Sequence, residues 1–144
     1  MRGSKAIKVK DHVTLVLACN ATGSHKIPVA IIGCAAVPQF FKPPREGCPL
    51  PYFSQQSAWM DGTVYEKLCK TVFVPNVPFR TCSAVILVVD NFGAHTKFES
   101  DGVTIYPLPP HVRPVHQPLD AGIIAYLKRR YEGRLTLLVL GALP

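Results

Sequence analysis

Residues Ser83-Ala84-Val85-Ile86-Leu87-Val88-Val89-Asp90-Asn91 constrain this chain more than any other stretch: an unbroken apolar run that stops at a carboxylate. Its length, branched side chains and polar boundaries predict a strand covered on both faces, as in a parallel sheet. Open α/β sheets bind ligands at the carboxyl ends of such strands, so position alone makes Asp90 a candidate functional residue. The plainer alternative is that Asp90 and Asn91 only open a turn.

A second apolar run, Val13 to Ala18, predicts another strand inside the sheet. The turn formers Asn20-Ala21-Thr22-Gly23-Ser24 separate it from Ile27-Pro28-Val29-Ala30-Ile31-Ile32-Gly33, so the two runs predict an antiparallel hairpin. Pro28 lacks an amide hydrogen and places the second strand at an edge. Cys34 to Gln56 contains five prolines among Phe40, Phe41, Tyr52 and Phe53, a composition that predicts a loop anchored by aromatics.

Asp61 or Thr63 can cap a following helix, with Thr63 and Glu66 in capping-box spacing. Val64, Leu68 and Val72, flanked by Tyr65, Cys69 and Phe73, define the helix face that packs on the sheet. After the Asp90 strand, Asp101-Gly102 signals a turn and Val103-Thr104-Ile105-Tyr106 a short strand. Pro107 to Pro118 must be largely extended. Helix resumes after Pro118, with Asp120 in its first turn and an apolar stripe at Ile123, Ile124, Leu127, Tyr131 and Leu135. A hairpin followed by alternating helices and strands predicts an α/β domain, a mixed sheet with helices on its faces.

The 144 residues suffice for one domain, and 48% hydrophobic content excludes a disordered tail. The apolar run Leu135 to Leu143 falls well short of the ~20 residues that span a bilayer, so no membrane partner is expected. Five scattered cysteines without a C-x-x-C pair argue against a zinc site or disulfide framework. The net charge of +7 gathers at both ends, with Lys128, Arg129, Arg130 and Arg134 at the second. Such clusters suit a phosphate backbone, although a solvated helix face is the commoner use of a charge run. Of nine acids, only Asp90 at a strand end and Asp120 at a helix start stand where a pocket can recruit them. Hard oxygens on rigid elements are what Mg²⁺ needs for phosphodiester chemistry.

The order and spacing of several motifs extend this reading. Val13 to Pro28, Ser57-Ala58-Trp59-Met60, Val88-Val89-Asp90-Asn91-Phe92-Gly93-Ala94-His95, Pro107-Leu108-Pro109-Pro110 and Gln117-Pro118-Leu119-Asp120-Ala121-Gly122-Ile123-Ile124 together resemble the DDE superfamily endonuclease domain of the pogo/Tigger transposase family. The resemblance is strongest over residues 10–134, within a single partial domain spanning 1–144. It implies a ribonuclease-H-like fold, a DNA partner, a nuclear location and a Mg²⁺ or Mn²⁺ site built from three acids. Asp90 matches the second acid and Asp120 the third, both as catalytic metal ligands, while Asn91, His95 and Gln117 match supporting positions.

The departures from the family pattern carry expectations of their own. In the family, the first acid lies on a central strand upstream of the hairpin, between its first strand and the Asp90 strand; this chain is expected to lack both, with Ala6 to Val9 able to fill part of the gap although Lys8 argues against deep burial. Asp11 precedes its strand and is a poor substitute. Two ligands of three imply an inactive site, since small misplacements cost about 100-fold in rate. A truncated chain, marginally stable alone, is therefore expected. The alternatives are a domesticated, non-catalytic DNA-binding or interaction module, and a transposon remnant without a role. Whether the chain forms a homo-oligomer is open.

Overall fold

The computed structural model describes residues 12–38, 49–77, 84–95, 98, 100, 102–109 and 119–141. It is a mixed α/β arrangement. β1 (Thr14–Val16) and β2 (Ala30–Gly33) pair antiparallel, with Leu15 opposite Ile31. The hairpin turns where the sequence places its turn formers. Asn20 Oδ1 accepts the His25 amide at 3.0 Å, its carbonyl accepts the Gly23 amide at 3.0 Å, and Gly23 takes φ +69°, a conformation that costs glycine little.

β3 (Tyr52–Ser54) adds parallel to β2, so the proline-rich stretch expected to be loop ends in a strand. Residues 39–48 of that stretch lie outside the described residues. The Tyr52 phenol crosses Gly33 and donates to the Ala35 carbonyl at 2.7 Å; a β-carbon on Gly33 would stand 2.5 Å from its oxygen. β4 (Val85–Val89) and β5 (Val103–Pro107) form a separate two-stranded parallel sheet, with Leu87 opposite Ile105.

Three expectations about strand position are corrected. β1 is at an edge and β2 is central in the order β1-β2-β3. Pro28 does not prevent this, because it precedes the first paired residue, Ala30, and removes no ladder donor. The apolar run of β4 is covered on one face only: Val85 and Leu87 pack inward, while Ile86 and Val88 are 67% and 54% exposed. Continuous hydrophobicity predicted two covered faces, and no described element lies over the second.

A nearly continuous helical segment holds both sheets on one side. α1 (Gly62–Leu68) starts at Asp61, whose Oδ1 accepts the Val64 amide at 2.8 Å. Asp61 rather than Thr63 is therefore the cap, and Glu66 pairs instead with Lys70 one turn on. A π-helical turn (Cys69–Phe73) leads into α2 (Val74–Asn76), with the Val74 amide bonded five residues back to Cys69. Pro75 explains the widening, because it cannot donate to the preceding turn. The carbonyl of Asn76 lies 2.8 Å from His25 Nε2, which ties the hairpin loop to the helix end.

The predicted helix face is the buried one. Leu68 and Val72 pack with Ala30, Val16 and Phe53 under the first sheet. Phe73 and Val77 pack with Val103, Val85 and Leu87 under the second, and Ile27 touches both groups. Each such aliphatic side chain contributes about 1.5–3 kcal/mol through removal from water.

A second π-helical turn (Leu119–Ile123) opens α3 (Ile124–Gly141). Its expected apolar stripe is not buried: Ile123, Leu127, Tyr131 and Leu135 are all exposed. The segment from 110 to 118, expected to be extended, lies outside the described residues. No helix among the described residues is long and apolar enough to cross a membrane.

Candidate active site at the end of strand β4

The loop that leaves β4 is folded tightly on the Asp90 carbonyl. That oxygen accepts the Phe92 amide at 2.9 Å and lies 3.0 Å from His95 Nδ1, while the His95 amide donates to Phe92 O at 2.9 Å. His95 therefore closes a compact two-turn loop. Asp90 Oδ1 stands 2.8 Å from the same Nδ1, so a protonated imidazole would also hold the carboxylate by charge. With Nδ1 donating to the carbonyl, the neutral ring keeps its lone pair on Nε2. The two side chains are 17% and 22% exposed, semi-buried but reachable from solvent.

Two aromatic rings fix the imidazole. Tyr65, from the first turns of α1, lies against it with centroids 4.8 Å apart and planes tilted by 39°. Phe92 meets it edge-on at 5.6 Å and 74°. Tyr65 is 3% exposed and shares a cluster with Cys69 and Phe98. Among the described residues its buried hydroxyl has no oxygen or nitrogen partner, and it faces the Cys69 thiol. Burial, followed by that thiol, pushes the Tyr65 phenol well above its ordinary range; burial likewise raises the Cys69 thiol. Both stay neutral at physiological pH.

The structure thus brings together Asp90 and His95 of the sequence-derived set and adds Tyr65 and Phe92 as their supports. Tyr65 sits on the flank of the α1 apolar stripe, but no spacing rule connects it to a histidine thirty residues later. Asn91 is exposed beside Asp90. Asp120 lies in the π-helical turn that opens α3; its side chain and all of Gln117 lie outside the described residues. Lys128, Arg129, Arg130 and Arg134 are exposed along α3, with the Arg130 guanidinium 5.5 Å from the Tyr126 ring centre.

The Asp90 carboxylate is a hard oxygen donor at a strand end, the kind Mg²⁺ takes. No group of three His, Cys, Asp or Glu side chains that could hold a metal ion forms among the described residues. The site as described therefore supplies one carboxylate and one oriented imidazole.

A strand-end aspartate locked by a histidine five residues later, on a mixed α/β frame, accompanies a family match over nearly the whole chain: residues 10–142 fit the DDE superfamily endonuclease model, and the chain belongs to that family. Among curated proteins, it is 34% identical over 125 residues to the human (Homo sapiens) Jerky protein homolog, covering 79% of this chain and 22% of that protein. Mouse (Mus musculus) Tigger transposable element-derived protein 4 is 27% identical over 125 residues, covering 85% and 24%. Fission yeast (Schizosaccharomyces pombe) ARS-binding protein 1 is 24% identical over 140 residues, covering 87% and 26%. The chain spans about a quarter or less of the length of these relatives. No solved structure matches it.

Proposed function

We propose that this chain is a DNA-binding, ribonuclease-H-like portion of a transposase-derived nuclear protein, with Asp90 and Asp120 as two of the acids of a phosphodiester-cleaving site. The observation that carries this reading is the Asp90 loop, in which main chain and His95 orient a carboxylate at the carboxyl end of a parallel strand. The sheet arrangement supports it too. Among the described residues β1 and β4 each end a sheet, and residues of one helical segment, Leu68 and Val72 for the first and Phe73 and Val77 for the second, pack under both sheets.

Asp90 and Asp120 would hold a divalent ion, Mg²⁺ or Mn²⁺, which when bound activates a water or hydroxyl and stabilises the leaving oxygen. The chain's own residues orient and bind. His95 fixes the Asp90 loop, Asn91 lies beside it, and Gln117 stands three positions before Asp120 in the sequence. Lys128, Arg129, Arg130 and Arg134 neutralise phosphates, whose released counterions make binding salt-dependent.

A second reading, a binding module without cleavage, is favoured by the exposed cations along α3, which need no acid cluster to hold phosphates. The two separate on one experiment with the full chain and a supercoiled plasmid. Binding followed against salt should weaken steeply, and replacing all four α3 cations by glutamine should flatten the salt slope by about 0.9 per lost phosphate contact. Mn²⁺-dependent nicking that disappears in Asp90→Ala identifies an active site. Binding without nicking, unchanged in the Asp90→Ala, Asp120→Ala double variant, identifies the module. Absence of low-salt binding refutes both, and nicking indifferent to Asp90→Ala refutes the role given to Asp90.

A further inference from the structure

Trp59 is the chain's only tryptophan, and it is 56% exposed. Large aromatic side chains are highly buried on average, so this one stands out. Its indole stacks on the His12 imidazole, with centroids 4.5 Å apart and planes 26° from parallel. The loop behind it is firmly pinned. Gln55 Oε1 accepts both the Ser57 amide and the Ser57 hydroxyl at 2.6 Å, and the Ala58 amide donates to Gln55 O at 2.7 Å.

Ala58 is 1% exposed and takes φ +56°, a left-handed conformation costing about 1–2 kcal/mol in a residue other than glycine. On the other side Met60 packs into the clusters beneath α1. Inward anchors therefore flank an outward indole, which is preorganised rather than loosely displayed. The same packing relates it to the candidate site. Met60 touches the Tyr65 cluster, Tyr65 lies on His95, and His95 holds Asp90. A chain of packed side chains through Met60, Tyr65 and His95 thus connects the Trp59 loop to the Asp90 loop.

We infer that the Trp59–His12 pair is a stacking platform for an unpaired nucleobase of a DNA strand engaged at the Asp90 site. The inference rests on the DNA-binding reading above and adds what that reading lacks, a contact to a base rather than to phosphate. Aromatic faces stack any base, so the platform tolerates sequence and discriminates single strands from intact duplex. A neutral protein surface is the competing occupant, and it makes the opposite prediction.

Because Trp59 is alone, its emission reports this site only. The full chain is titrated with a fluorescein-labelled twelve-residue thymidine oligonucleotide, and with an abasic strand of equal length, following label anisotropy and indole emission together. The expected result is saturable quenching by the base-bearing strand and none by the abasic one. By anisotropy, Trp59→Ala should weaken the base-bearing strand about 5- to 150-fold, the range of one aromatic–base stack, and leave the abasic strand unchanged. Trp59→Phe should retain most of the affinity, and far-UV circular dichroism confirms that both variants fold. Equal binding of the two strands, unchanged by Trp59→Ala and without quenching, overturns the platform while DNA binding stands. If anisotropy detects neither strand, the DNA-binding reading falls and the platform falls with it.

Discussion

Tyr65→Phe tests the core beside the candidate site in a direction opposite to the usual one. Replacing a buried tyrosine normally destabilises a protein by removing a hydrogen bond. Here the hydroxyl is buried and, among the described residues, has no oxygen or nitrogen partner and a thiol, a weak acceptor, in front of it. An unsatisfied buried polar group costs about 1–3 kcal/mol relative to its hydrated state. Removing one oxygen forfeits little packing, since a residual cavity costs only about 24 cal/mol per Å³. The expected balance is a gain of about 1 kcal/mol, with the ring still held against His95. In urea, with a slope of about 1–3 kcal/mol per molar for a small domain, the midpoint should rise by about 0.3–1 M. Unfolding followed by far-UV circular dichroism measures this, and Tyr65→Ala provides the contrast, losing about 3–5 kcal/mol with the ring. A midpoint that falls in Tyr65→Phe would show that the hydroxyl has a partner, and the reasoning would be wrong.

Three further outcomes are expected. Gly33→Ala should destabilise by about 1–3 kcal/mol, because its β-carbon collides with the Tyr52 hydroxyl and breaks the bond to Ala35; thermal melting beside Gly23→Ala separates this clash from backbone strain. Asp61→Ala should lose about 1 kcal/mol with the Val64 cap bond, while Asp61→Asn should keep most of it, as paired urea curves will show. Stability should fall with rising alkaline pH. Cys69 and Tyr65 are raised in the folded state, so above their ordinary values of 9.0 and 10.0 the unfolded chain releases protons that the folded chain retains, and the equilibrium shifts toward unfolding. In the pH range above those values the midpoint of Tyr65→Phe should fall less steeply than that of the parent; equal slopes would count against Tyr65 as a source.

What sequence alone determined here is local. The Val64-Leu68-Val72 spacing specifies which side of α1 is apolar, Asn20 to Ser24 specify a turn, and an apolar run ending in Asp90 specifies a strand with an acid at its rim. The motif order likewise indicated the family, because co-linear short motifs survive without knowledge of contacts. What required tertiary structure is every property set by pairing between distant segments. Hydrophobicity could not say that Ile86 and Val88 face solvent, since exposure depends on whether another element covers that side of β4. Nor could Pro28 make β2 an edge strand once Tyr52 to Ser54 supplied its second partner. At the site, Asp90 and His95 share one short loop and were legible together. Tyr65 was legible only as core and Trp59 only as a motif residue. A ring contact to His95 and a stacked His12 arise when helix, loop and strand converge, and no local periodicity encodes where separate elements meet.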